Sequence, residues 1–292
     1  MDPSEDWSRI HNVDQRARAV IVTHDAIEPA DAAAPGPRAR RTVIDGGRVE
    51  VRQRGSGSEA FEADTSTVVW PMSRAVAEAF CDATQRWKTS EGARGTARDD
   101  GRGRTRAETC ALAKELVITP DTRVIEVGAG IGLLGIVLAR IGAKRSTITD
   151  DNVRLLSENV SASGGSRAEC KRLRWASPTS ANASEWDAVQ AFVETYVREN
   201  DGERPHLIVG TDVMYSQSRA TCRALASTIA ALADDDTVII IGFEDRGDWG
   251  QVAHFFEHAE TCGLRGEADP FGEDDDDWLL IRLSKRGDSK SP

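Results

Sequence analysis

The residues whose types and spacing could do chemistry fall in two groups. The first is Glu126, Gly128, Ala129, Gly130, Gly132 and Asp150, all within one stretch, RVIEVGAGIGLLGIVLARIGAKRSTITD, from Arg123 to Asp150. The second is Trp175 together with Thr211-Asp212-Val213-Met214-Tyr215, further along the chain. Alternating glycines after an apolar run let a backbone turn approach a ligand with no side chain between them. The apolar run after them, from Leu133, reads as a buried helix whose unpaired N–H groups face that ligand. An acid about 20 residues past the glycines can accept both hydroxyls of a ribose. Asp150 stands there, directly ending a second strand, Ser146 to Thr149; its neighbour Asp151 does not.

The spacing separates two classes of ligand. A dinucleotide fingerprint, G-x-G-x-x-G, requires glycine at 133, where this chain has Leu133. Glu126, two residues before the first glycine, would repel a pyrophosphate, whereas a ligand carrying a sulfonium and an amino group tolerates it. E-V-G-A-G-I-G resembles motif I of the class I, seven-β-strand S-adenosylmethionine-dependent methyltransferases. The cofactor expected from this resemblance is S-adenosylmethionine, with Glu126 among its contacts, and an NAD-dependent oxidoreductase is disfavoured by Leu133 and Glu126. Trp175 offers an aromatic face to an adenine. Trp70, just before Pro71, is placed to wall off the opposite end of the cofactor.

The elements that must position these residues can be read in order. Residues 1–39, rich in Ala, Pro, Asp and Arg, are expected to be flexible. RTVIDGGRVEVRQR, Arg41 to Arg54, reads as a β-hairpin turning at Asp45-Gly46-Gly47. With a short extended run at Thr67 to Trp70 and an amphipathic helix from Ser73 to Trp87, it forms an N-terminal unit, 40–88, packed on the core. Residues 89–107, rich in Gly and Arg and poor in apolar residues, read as a disordered insertion. The core, 108–284, opens with a helix from Glu108 to Leu116. Strands then alternate with helices: strands at Val124 to Val127, Ser146 to Thr149, Ala168 to Leu173, His206 to Asp212 and Thr237 to Gly242; helices at Leu133 to Ile141, Asp151 to Ser161, Ser184 to Arg198, Ser218 to Leu232 and Trp249 to Cys262. Two last strands, near Leu264 to Glu267 and Trp278 to Leu283, form an antiparallel hairpin, and 285–292 is a flexible tail. This pattern predicts an α/β, doubly wound, mostly parallel seven-stranded Rossmann-like sheet with an antiparallel C-terminal hairpin and an N-terminal β-hairpin extension. Glu126, Asp150, Trp175 and Asp212 end successive strands or follow them, so they should converge on one crevice.

Asp212-Val213-Met214-Tyr215 follows PHLIVGT. A D-x-x-Y form at this place resembles the non-SET, seven-β-strand protein-lysine methyltransferases. V-W-P before a helix, T-D after the second strand, L-R-W after the third and I-V-G-T-D-V-M-Y agree with it. The resemblance runs from about Thr42 to Leu283, outside the insertion and a lengthened segment at 176–204. It implies cofactor contacts at Trp70, Gly128, Ala129, Gly130, Asp150, Trp175 and Thr211, and a catalytic pair, Asp212 and Tyr215. Departures from the family pattern are Pro71-Met72 and Arg174, where Asp is common. The reaction implied is methylation of a lysine amine in a protein substrate. Alternatives are a protein histidine or arginine, a small amine, or a methyltransferase-fold interaction module without catalysis.

Composition bounds the rest. At 292 residues, 39% hydrophobic and 29% charged, the chain suits one large domain or two small ones. No apolar run reaches the roughly 18 residues of a membrane span, and the acidic N-terminus lacks a signal-peptide core. The five cysteines are widely spaced without a CxxC, which predicts reduced thiols in a cytoplasmic or nuclear compartment and no metal site. A net charge of −11 disfavours nucleic acid and suits a basic protein partner. A monomer is expected. The acidic run Glu273 to Asp277 reads as a solvated loop, with a docking patch for a basic segment as the lesser reading.

Overall fold

The computed structural model describes residues 19–22, 49–52, 69–92, 114–214, 217–245, 249–271 and 278–285. The core is a seven-stranded sheet in the order β5-β4-β3-β6-β7-β9-β8. Its strands are β3 (Arg123–Val127), β4 (Arg145–Asp150), β5 (Ala168–Arg172), β6 (Leu207–Thr211), β7 (Val238–Glu244), β8 (Leu264–Pro270) and β9 (Trp278–Lys285). The first five run parallel. Strand β9 enters antiparallel to β7, and β8 closes the edge antiparallel to β9. Direction of growth reverses between β3 and β6, which opens a crevice at their carboxyl ends.

Two apolar layers sandwich the sheet. On one face lie α1 (Pro71–Gly92), α2 (Leu133–Ile141) and α3 (Arg154–Asn159), burying Val76, Phe80, Leu134, Ile136 and Leu156 against Val124, Ile148 and Val209. On the other lie α4 (Ala183–Glu199), α5 (Arg219–Leu232) and α6 (Trp249–Thr261), burying Val193, Leu225, Ile229 and Phe255 against Ile125, Val127, Ile208 and Ile241. The alternation is visible within β3: Val124 faces one layer, Ile125 and Val127 the other. All five β3 residues are buried, as expected for a central parallel strand.

Helix α1 starts on Pro71, a residue favoured at the first helical position because its missing N–H has no partner there anyway. It runs to Gly92, so the helix takes in the first residues of the expected insertion; 93–113 lie outside the described residues. Met72 and Val76 rest directly on Gly242 of β7, which seats the start of α1 over the carboxyl ends of β6 and β7. Val69 and Trp70 precede the helix without belonging to a strand, and 114–116 form a turn where the end of a helix was expected.

The N-terminal extension departs from expectation. Val49–Arg52, called β2, is extended, but it pairs antiparallel with β1, Ala19–Val22, from the segment expected to be flexible. The first part of the expected hairpin, including its Asp45-Gly46-Gly47 turn, lies outside the described residues. Val49 and Val51 are wholly buried and join the core layer of α2 and α3. The helix expected over Asp151 to Ser161 also differs: α3 gives way at Val160–Gly164 to a π-helical turn, followed by a 3-10 turn at Gly165–Arg167. Among the described residues no helix is long and apolar enough to cross a membrane.

Candidate active site

The crevice at the carboxyl ends of β3 and β6 holds about 560 Å³, within the range of small-molecule sites. Its floor is the turn Gly128-Ala129-Gly130-Ile131. Gly128 and Gly130 take left-handed φ of 63° and 55°, where a side chain is strained. A Cβ on Gly128 would stand 2.7 Å from Cζ2 of Trp175 and 2.8 Å from Cγ1 of Val213. The indole of Trp175 therefore lies directly against the bare backbone of the turn.

Asp150 ends β4 beside this floor. One carboxylate oxygen accepts from the Gly130 N–H at 2.9 Å, the other from the Asn152 N–H at 2.9 Å. A carboxylate oxygen can accept more than one hydrogen bond, and this carboxylate is fixed by the same turn that forms the floor. Asp151 also lines the crevice, but its carboxylate is engaged by arginines: Arg172 donates to it at 2.7 and 2.9 Å, and Arg174 stands 3.8 Å away.

Across the crevice, Thr211 ends β6 and Asp212 follows it, while Val69 and Trp70 precede α1 and Ser73 lies in its first turn. Asp212 has a φ of 55°, unusual for a residue with a side chain. Its N–H donates to the Gly242 carbonyl at 2.9 Å and its carboxylate accepts from the Glu244 N–H at 3.3 Å. The ends of β6 and β7 thus hold this acid in place at the crevice wall. Tyr215, the other expected catalytic residue, lies outside the described residues.

Of the expected cofactor contacts, Trp70, Gly128, Ala129, Gly130, Asp150, Trp175 and Thr211 all line the one crevice. Glu126 does not. It shares the face of β3 that carries Val124, so it points under α2, is 1% exposed, and accepts from the Gly135 N–H at 2.8 Å. The strand alternation that buries Ile125 and Val127 on the other face imposes this. Glu126 therefore satisfies a free donor in the first turn of α2, whose N-cap, Gly132, offers no side chain. Burial pushes its carboxyl up to about 8; the Gly135 hydrogen bond opposes the shift and the charge of Asp150 adds to it.

Sequence reasoning missed the third wall. Ser177, Thr179 and Ser180 after β5, Glu185 of α4, and Thr221 and Arg223 of α5 extend the crevice beyond Trp175. They fall at the start of the lengthened segment 176–204, a Ser/Pro/Asn stretch with no local signal of a site, and on two helices that packing brings beside it.

A doubly wound sheet of this order, a left-handed glycine floor, a ribose-competent carboxylate on β4 and an indole over the turn define a class I S-adenosylmethionine-dependent methyltransferase. A family model described as lysine methyltransferase matches residues 114–261, just over half of the chain, and the chain belongs to that family. No curated protein matches it. Among solved structures it is similar to a TehB-like SAM-dependent methyltransferase from Corynebacterium glutamicum, at 18% identity and a TM-score of 0.42, covering 71% of this chain and 98% of that one. An rRNA methylase from Streptococcus thermophilus aligns at 14% identity and a TM-score of 0.38, covering 62% and 91%. A putative RNA methyltransferase from Pyrococcus horikoshii aligns at 16% identity and 0.37, covering 57% and 75%. The substrates in these names belong to those proteins.

The residues present fit S-adenosylmethionine: the Trp175 indole can lie on the floor because Gly128 has no Cβ, and Asp150 offers a carboxylate acceptor beside it. When bound, the cofactor supplies a methyl group already activated on a sulfonium. Trp175, the glycine floor and Asp150 would hold its adenosine part, with Thr211 and Trp70 toward the methyl-bearing end.

Proposed function

We propose that the acceptor is the side-chain amine of a lysine in a protein. The observation that carries this reading is Asp212, an acid held at the crevice wall by the Gly242 carbonyl and the Glu244 N–H, across from the glycine floor. A lysine side chain in water has a pKa of about 10.4 and arrives as an ammonium. A fixed carboxylate recognises that cation, draws it from water and orients it. The proton leaves before attack, and Asp212 or solvent receives it. Trp70, from the start of α1, gives the entry an aromatic wall suited to an alkyl-ammonium chain. The D-x-x-Y pattern of the sequence from Asp212 to Tyr215 and the family's description as lysine methyltransferases support the same reading. So does the net charge of −11, which complements a basic substrate segment. The proposal includes a monomeric enzyme acting on protein, not nucleic acid, in the cytoplasm or nucleus; the described cysteines, Cys81, Cys170, Cys222 and Cys262, are in no disulfide.

The test is to incubate the protein with cell extract and S-adenosylmethionine bearing a labelled methyl group, then locate the label by mass spectrometry. Label on a lysine Nζ is expected. Label on histidine, arginine or a small amine would replace the acceptor, and no transfer from any extract would favour a non-catalytic module.

A further inference from the structure

The floor of the cofactor site is built from the residues least able to hold a shape by themselves. Gly128, Gly130 and Gly132 all have left-handed φ, and glycine populates many other conformations as readily. Inside the turn the Gly132 N–H donates to the Ala129 carbonyl at 2.8 Å, and the remaining ties come from outside it. Two ties come from β4: the Ala129 N–H donates to the Thr149 carbonyl at 2.9 Å, and the Gly130 N–H to Asp150. Both act on the first half of the turn.

The second half is held from α3. Asn159, 1% exposed, donates its side-chain amide to the carbonyl of Ile131 at 3.0 Å. One turn earlier on the same face, Leu156 packs on Gly132, its Cδ1 only 2.4 Å from where a Cβ would stand. Asn159 is the last residue of α3 before the π-helical turn at Val160–Gly164. Val49 and Val51 of β2 pack in the same buried layer as Leu156 and Val160. The N-terminal ribbon, α3 and the glycine turn thus form one continuous stack.

We propose that Asn159 is a positioning residue for the cofactor: it locks the Ile131–Gly132 peptide, and so fixes both the floor of the crevice and the direction in which the first turn of α2 points. Asn159 touches the turn and not the crevice, so its effect is preorganisation. Without the amide, the Ile131 carbonyl is buried with its bond lost, and Gly130 to Gly132 sample conformations in which the floor is not formed. This goes beyond the lysine reading and rests only on the cofactor assignment.

The experiment compares Asn159→Ala with Val160→Ala. The second variant removes buried apolar contact from the same segment and leaves the amide intact. Calorimetric titration with S-adenosylhomocysteine, which needs no acceptor, should show Asn159→Ala weakened by about 5- to 30-fold, the equivalent of one buried hydrogen bond. Val160→Ala should lower the melting temperature and leave that affinity unchanged. In the cofactor-free protein, amide exchange over residues 128–135 should rise in Asn159→Ala and not in Val160→Ala. If Asn159→Ala does not fold, Asn159→Leu, of similar shape without any hydrogen-bond donor, carries the test with the same expectation. Wild-type affinity in the Asn159 variant, or equal loss in Val160→Ala, overturns the proposal and leaves Asn159 an ordinary core residue.

Discussion

The two sides of the crevice are held by different means. On the β4 side, a short segment of chain supplies almost everything: glycines for the floor, the Asp150 carboxylate tied to it, and α2 behind them, all between Arg123 and Asp150. On the β6 side, Asp212 sits in a left-handed conformation fixed by β7, with α1 seated across Gly242 from a distant part of the sequence. The first side is local and repeats the demands of one invariant ligand. The second is assembled from non-local pieces, which is where an acceptor site can vary while the cofactor site stays the same. Changes on the two sides should therefore separate: one set moves cofactor affinity, the other turnover.

The largest effect is expected at Gly128. Gly128→Ala puts a methyl group 2.7 Å from the Trp175 indole at a φ of 63°. Left-handed strain of about 1–2 kcal/mol adds to a displaced stacking surface worth about 1–3 kcal/mol. Titration with S-adenosylhomocysteine should show affinity reduced by about a hundredfold or more. Near-wild-type binding would mean that Trp175 does not form part of the adenosine site.

Glu126 tests whether an acid beside the glycines acts on ligand or on fold. Its carboxyl is raised to about 8 from an ordinary 4.5, so the folded state holds the proton more tightly than the unfolded chain. Stability from this group is full below about 4.5 and is lost as pH rises toward 8. Glu126→Gln keeps an oxygen for the Gly135 N–H and cannot ionise. Its melting temperature should exceed that of the wild type by a margin that grows from pH 5 to pH 8, at about 2–4 °C per kcal/mol. Cofactor affinity at pH 6 should be unchanged; a marked loss there would return Glu126 to the cofactor contacts.

The smallest effect belongs to Arg174. It lines the crevice, yet its side chain is 64% exposed and lies 3.8 Å from Asp151 and 4.0 Å from Glu185. Arg174→Ala should change stability by less than about 0.5 kcal/mol and leave cofactor affinity within about twofold. Altered acceptor selectivity at constant cofactor affinity would move Arg174 to the acceptor side.

The same contrast explains what could be read from sequence. Arg123 to Asp150 declared its strand, turn, helix and strand because each step is a local pattern: an apolar run, spaced glycines, a second apolar run. The later strands and helices followed from periodicity and appear within a few residues of expectation. Glu126 was assigned to the ligand because its position in sequence says nothing about which face of β3 it takes, and the buried layers decide that. Ala19–Val22 was missed because four apolar residues in a polar segment become a strand only through pairing with Val49–Arg52, some thirty residues away. The Ser177–Ser180 wall and the Asn159 tie are likewise products of tertiary packing.

The most direct measurement of the division between the two sides pairs Asp150→Ala with Asp212→Asn. Asparagine tolerates the left-handed backbone at 212, so the second change removes charge and leaves shape. Each variant is titrated with S-adenosylhomocysteine and assayed for single-turnover methyl transfer to extract protein at saturating S-adenosylmethionine. Asp150→Ala should lose about 2–4 kcal/mol of cofactor binding, from two charge-assisted hydrogen bonds. Asp212→Asn should bind cofactor like the wild type and transfer methyl more than tenfold slower, at least about 1.4 kcal/mol of transition-state stabilisation. Asp212→Asn transferring methyl at the wild-type rate, or losing cofactor as Asp150→Ala does, would contradict the account.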